Sequence, residues 1–228
     1  MKNLKTYILP ISSLFLSITF LAIGYGIMIT YIGVYLKQAG ASSFSIGLIN
    51  SAFFLGAIAS SIFSQKIIST IGHIRSFASF AALMVIAFLL HSIYLNEFFW
   101  GFLRLISGFS FYALLIIVES WLNEKSSNSQ RGQILAIYTI IFYLSTALGQ
   151  LFLTIPKDSE FFVFTVGSVL VLFSLITIAM TKIKEPILKP FEQYSFPKLY
   201  SIVPLALTGS FIGGFFVGSF FTMLPLTI

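Results

Sequence analysis

Residues 98–122 read FFWGFLRLISGFSFYALLIIVESWL, and whether this stretch can enter a bilayer decides how the whole chain folds. It carries two charges, Arg104 and Glu119, among fourteen Leu, Ile, Phe and Val residues. Each apolar residue favours insertion by about 0.3–0.6 kcal/mol, whereas a charge at a helix centre opposes it by about 2.5–3.5 kcal/mol. The apolar sum is roughly 6 kcal/mol, and both charges lie off centre, where their cost falls. The stretch reads as a membrane-spanning helix that keeps one cation and one anion inside it.

Working outward, the chain is divided by charge-free runs, each long enough for a span of roughly 20 residues. Thirty-one uncharged residues separate Lys5 from Lys37, 28 separate Lys37 from Lys66, and 21 separate Arg75 from Glu97. Further on, 25 separate Arg131 from Lys157, 21 separate Glu160 from Lys182, and 30 follow Lys198. Seven helices are expected, near 8–36, 43–65, 76–95, 98–122, 132–155, 161–181 and 200–226. The first is too long for a signal-peptide core of about 7–15 residues and reads as a retained helix. Across the 228 residues, 57% are hydrophobic and 9% charged. A soluble domain is about 25% charged, so an all-α integral membrane protein is the class that fits. With no Cys, disulfide frameworks, thiolate metal sites and Cys nucleophiles are excluded.

Placing the N-terminus in the cytoplasm puts Lys2, Lys5, Lys66, Arg75, Lys125, Arg131, Lys182, Lys184, Lys189 and Lys198 on the inner side. Only Lys37 and Lys157 then lie outside, with Arg104 inside the bilayer. This is a strong positive-inside bias, so the net charge of +6 reports topology and not a nucleic-acid partner. Trp100, Tyr35 and Tyr94 fall near the outer interface, and Trp121, Tyr7 and Tyr200 near the inner one.

Residues 182–199 hold Lys182, Lys184, Glu185, Lys189, Glu192 and Lys198 with Pro186, Pro190 and Pro197, a charged, proline-broken cytoplasmic linker. The expected organisation is a six-helix unit over 1–181, this linker over 182–199, and the first helix of an incomplete second unit over 200–228. Spacing and length suggest two sets of three helices in the first unit, as in many secondary transporters. The third and sixth helices carry no charge and are expected to face lipid, with the fourth in the interior.

Arg104 is the first functional candidate, because an ionisable residue within a span usually faces a bundle interior or a water-filled cavity. Arg104, Gly108, Phe111, Leu115 and Glu119 form one helical stripe that would line a wall. The alternative is that Arg104 snorkels to the outer headgroups. Glu119 and Arg131 fall at the cytoplasmic ends of adjacent helices, where an ion pair would serve as a gate or as a static brace. Glu119 is also the sole acidic residue within a span, open to a proton-coupling role or to that of a hydrated interfacial charge. Tyr25, Tyr31, Asn50, Tyr138 and Gln150 could line the path or hydrogen-bond between helices. His73 and His91 are too far apart for a metal site and receive no role. Gly47 and Gly56, like Gly209, Gly213, Gly214 and Gly218, read as close-packing positions.

Arg104-Leu105-Ile106-Ser107-Gly108 resembles the R-x-x-x-G pattern in the fourth helix of the major facilitator superfamily. That family's G-x-x-x-D-[RK]-x-G-[RK]-[RK] loop between helices 2 and 3 is similar to the turn around Gly72 and Arg75, with Gln65 and Ser69 at the outer Gly and Asp positions. Ile71-Gly72-His73-Ile74-Arg75, Glu119-Ser120-Trp121-Leu122-Asn123 and Arg131-Gly132 resemble stretches of a bacterial inner-membrane permease branch, and the likeness runs the length of the chain. It implies proton- or gradient-driven movement of a small solute by alternating access between two six-helix halves, with Gly72, Arg75, Glu119 and Arg131 at the cytoplasmic gate. The G-x-x-x-G-P-x-x-G-G signature of drug–proton antiporters is absent, since residues 142–150 offer only Gly149. The resemblance also implies that a C-terminal half, in the same chain or a separate one, completes the pathway, and that this chain alone does not transport.

Two other functions compete with transport. A retinal receptor needs a Lys in its last helix, and residues 199–228 have none. A non-transporting membrane scaffold or assembly protein fits the spans but gives no reason for Arg104. No cluster of His, Asp and Glu suggests an enzyme, a metal or a cofactor. The expected partners are a small solute and the lipid bilayer.

Overall fold

The computed structural model describes residues 11–155, 159–186 and 195–223. Eight helices are described: α1 Ser12–Gln38, α2 Ser43–Ile71, α3 His73–His91, α4 Glu97–Lys125, α5 Arg131–Phe152, α6 Glu160–Ala179, α7 Phe196–Ile202 and α8 Pro204–Met223. The first six are long and apolar enough to cross a membrane. Of the sequence expectations, Lys2, Lys5, Tyr7, Lys157, Lys189, Pro190 and Glu192, with the ends of the first and seventh helices, lie outside the described residues.

Helix ends follow local chemistry. Helices α2, α4 and α6 begin at the outer side, each capped from the preceding residue. The Ser42 Oγ accepts from the Ser45 N–H, the Asn96 Oδ1 from Phe99, and the Ser159 Oγ from Phe162. Gly40, at φ 84°, ends α1 with the Ala41 N–H bonded to the Leu36 carbonyl and its own N–H to Lys37. This is a Schellman turn, which favours glycine at that position. Gly72, at φ 87°, separates α2 from α3. Helix α2 therefore runs six residues further than the expected 43–65, carrying Lys66 on its last cytoplasmic turns.

The packing is repeated. Helix α1 lies against α5 and α6, helix α4 lies against α2 and α3, and α3 closes on α6. Exchanging the first three helices with the second three leaves this pattern unchanged, which is the two-triplet arrangement expected from spacing. Helices α1 and α4 are the most buried, as expected for α4. Helices α3 and α6, which carry charge only in their first turns at Arg75 and Glu160, are not the most exposed pair, because they cover each other and the inner helices; α2 and α5 are. Leu48, Leu55, Ile58 and Ile62 on α2, and Ile140, Leu144, Leu148 and Leu151 on α5, point outward.

The single helix expected over 200–226 is corrected to two. Val203 has φ −135° and ψ 56°, breaking the chain between α7 and α8. It precedes Pro204, whose ring disfavours helical geometry at the residue before it. Helix α8 touches α1 and α2 and leaves Leu205, Phe211 and Phe215 exposed.

Candidate functional site

Arg104 is only 1% exposed and does not snorkel. Its Cζ sits 4.5 Å from the centroid of the Phe53 ring on α2, a cation–π contact inside the bundle. Its Nε and Nη2 have no hydrogen-bond partner, and no carboxylate among the described residues pairs with it. Glu119, on the same helix fifteen residues on, is about 22 Å away at 1.5 Å per residue.

Aromatic rings connect those two charges. Phe53, beneath the guanidinium, lies 5.9 Å from Tyr25 of α1 and 6.0 Å from Phe111 of α4. Tyr25 and Phe111 stack at 4.0 Å with an interplanar angle of 12°. Phe142 of α5 is 6.2 Å from Tyr25 and 6.3 Å from Phe111, and Tyr138, one turn earlier, is 6.5 Å from Phe142. The Tyr138 hydroxyl donates to Glu119 Oε1 at 2.9 Å. Phe53 and Phe111 are buried, whereas Tyr25, Tyr112, Phe142 and Glu119 are half-buried and Tyr143 is exposed. Four helices thus build an aromatic wall with a cation at its outer end and a carboxyl group at its inner end. Such a wall presents large apolar area with few polar groups to fix orientation, as small-molecule sites commonly do.

The other sequence candidates are dispersed. Gln150 donates to the Thr30 hydroxyl at 3.2 Å, joining α5 to α1. Tyr31 packs edge-on against Phe164 at 5.4 Å. Asn50 is buried, with neither its oxygen nor its nitrogen hydrogen-bonded. Gly108 is where α4 meets α2: a Cβ there would be 1.9 Å from the Phe53 carbonyl oxygen. Glu119 and Arg131 form no ion pair. Glu119 is taken by Tyr138, while Arg131 Nη2 donates to the Asn123 carbonyl at 3.5 Å. A charge swap between Glu119 and Arg131 should therefore fail to restore stability lost in the single variants. Tyr138→Phe and Glu119→Gln should instead show a coupling of about 1 kcal/mol in a double-mutant cycle read by thermal melting. Rescue by the swap would contradict this pairing.

At the cytoplasmic end, the two motif stretches meet. His73 Nε2 is 3.0 Å from the Ser120 hydroxyl, and the His73 ring meets Trp121 edge-on at 5.7 Å. The segment after α6 completes the junction: Glu185 Oε2 accepts the His73 backbone N–H at 2.8 Å, and Trp121 Nε1 donates to the Lys184 carbonyl at 3.2 Å. A Cβ on Gly72 would be 2.7 Å from Glu185 Oε2, so the turn accepts this carboxylate because it lacks a side chain. Arg75 is exposed beside it. Sequence reasoning missed Glu185, Phe53, Phe142 and Tyr143. The i, i+4 pair Tyr138 and Phe142 was a usable signal for the wall, but none marked Glu185.

A family model described as Major Facilitator Superfamily matches residues 14–228. Curated relatives include the "Uncharacterized MFS-type transporter YcaD" of Salmonella newport and of Salmonella typhimurium, each 24% identical over 227 residues, which are 98% of this chain and 59% of the relative. The protein of that name from Salmonella paratyphi A is 24% identical over 225 residues, 97% of this chain and 58% of the relative. The chain thus spans somewhat over half the length of the curated relatives it matches. With a family match over nearly the whole chain and six membrane-length helices packed as a repeated bundle, this chain belongs to the major facilitator superfamily, as a multi-pass protein of the bacterial inner membrane.

Proposed function

We propose that the chain supplies one wall of the solute pathway in a secondary active transporter that works by alternating access. The observation that carries this reading is the half-buried face of the aromatic wall, Tyr25 and Phe142 with the Glu119 carboxyl at its inner end, with Arg104 behind it and Gly108 setting the helix spacing. It lies on α1, α4 and α5, which the two-triplet packing brings together without covering it. Transporters of this architecture hold substrate near the bilayer midplane between two repeated units. The reading takes residues 11–181 as one such unit, joined by the charged segment 182–199 to α8 at the start of the other, and requires helices beyond those described to form the second wall. The cytoplasmic junction of Gly72, His73, Ser120, Trp121 and Glu185 would brace the inner end against the following helices, with Arg75 and Arg131 exposed towards the same side. Glu119, held by Tyr138, is the group placed to couple a proton to the solute.

Proteoliposomes test this. The 228-residue chain alone should show no saturable uptake under an imposed proton gradient. Co-reconstitution with the part of a Salmonella relative lying beyond the matched region should produce uptake that Glu119→Gln reduces at least tenfold. Saturable, gradient-driven uptake by the chain alone would overturn the requirement for a second wall.

A further inference from the structure

Arg104 poses an electrostatic problem that this fold leaves unsolved. A cation taken fully out of water is strongly disfavoured unless a counter-charge and hydrogen bonds replace its hydration. Burial of the side chain is essentially complete, yet two of its donors have no partner, and the nearest acidic residue on α4, the exposed Glu97, lies seven residues or about 10 Å away along the helix. The Phe53 ring face is the group against which the guanidinium is packed, and a π-face offsets only part of that loss. Arg104 also lies within electrostatic range of Tyr25, whose ring is stacked on Phe111 in the half-buried wall. The unpaired cation and the wall are therefore parts of one surface, separated by the thickness of the Phe53 ring.

Arginine's planar fork matches a carboxylate, giving two parallel hydrogen bonds from donors that here are already held in place. The rings of Tyr25, Phe53, Phe111 and Phe142 offer stacking faces to a planar apolar body beside that fork. We infer that the solute is a small organic anion, a carboxylate on an aromatic or otherwise planar apolar body, with Arg104 binding the carboxylate and the Tyr25–Phe111 stack holding the body. This rests on the aromatic wall being the solute path. Because Phe53 covers the guanidinium in this conformation, binding requires the Phe53 and Tyr25 side chains to shift, and pairing with the anion stabilises the shifted arrangement.

Benzoate and its neutral isostere benzamide separate charge from shape. Binding of each radiolabelled probe to the full 228-residue chain in lipid nanodiscs would be measured by scintillation proximity. Benzoate should bind saturably, and benzamide at least tenfold more weakly. Arg104→Gln should weaken benzoate at least tenfold and leave benzamide unchanged, in a variant that melts no lower than the parent. Tyr25→Leu should weaken both probes alike. Equal binding of the two probes to the parent, undiminished benzoate binding to Arg104→Gln, or no saturable binding of benzoate overturns the anion assignment. If Tyr25→Leu instead leaves binding of both probes unchanged, the wall itself is not the site and the transport path must lie elsewhere.

Discussion

Gly108→Leu prevents assembly of the α2–α4 pair, and Gly108→Ala lowers the stability of the whole bundle by about 2 kcal/mol or more. The reason is distance. A Cβ on Gly108 would stand 1.9 Å from the Phe53 carbonyl oxygen, 2.7 Å from its carbon and 2.9 Å from its Cα, all of them backbone atoms. No rotamer change relieves such a contact, so the helices must separate along their length. Overpacking of a well-filled core costs about 1–3 kcal/mol even where side chains can yield, and here they cannot. The gain in helix propensity from Gly to Ala, about 1 kcal/mol, offsets only part of this. The contact is reciprocal: a Cβ on Gly56 of α2 would stand 2.1 Å from the Leu105 carbonyl oxygen of α4. The same device joins the other inner pair, with Gly26 against the Thr146 oxygen and Gly149 against the Ile23 oxygen, each at 2.2 Å. Close backbone approach through small residues is how membrane helices gain packing energy where lipid gives no hydrophobic drive. Gly101, on the same helix with nothing within 4 Å, serves as the control and should accept Ala without loss. Melting of Gly108→Ala at or above the parent would refute the close-contact account.

These glycines also show where reading the sequence stops. The spans were legible because charge is so costly in lipid that the few charged residues bracket the six membrane-length helices, and Arg104 and Glu119 stood out for the same reason. Gly56 was recognised as a packing position, but nothing local says that its partner surface is Leu105 or that Gly108 answers it from across the interface. The aromatic wall was hidden by abundance: among 27 Phe and 10 Tyr, the rings that stack on Tyr25 carry no mark distinguishing them from rings that face lipid. Glu185 lies 112 residues from His73, and only the fold brings its carboxylate onto the Gly72 turn. The seventh helix failed for a different reason. Its hydropathy is continuous through residue 203, whereas the break is a backbone effect of Pro204 that hydropathy does not register.

Arg104→Met should separate stability from function more sharply than any other single change, raising the first while abolishing the second. Met has nearly the length of the Arg stem and fills the same channel over Phe53, so no cavity is expected. What is lost is the cation–π contact, worth about 0.5–2 kcal/mol. What is removed is a buried cation with two unsatisfied donors, a penalty of several kcal/mol; replacing even paired buried charges by apolar residues stabilises proteins by about 1–4 kcal/mol. The difference favours Met by roughly 2 kcal/mol, enough to raise the melting temperature in detergent by several degrees. A residue that destabilises its own fold is retained for what it does, and functional sites are where such local costs concentrate. Gradient-driven uptake by the two-part transporter should accordingly fall to background in Arg104→Met even though more folded protein is recovered. The two readouts test different claims. A lower melting temperature would mean that the guanidinium has partners within the bundle and is structural, while undiminished uptake in a more stable variant would remove Arg104 from the solute path altogether.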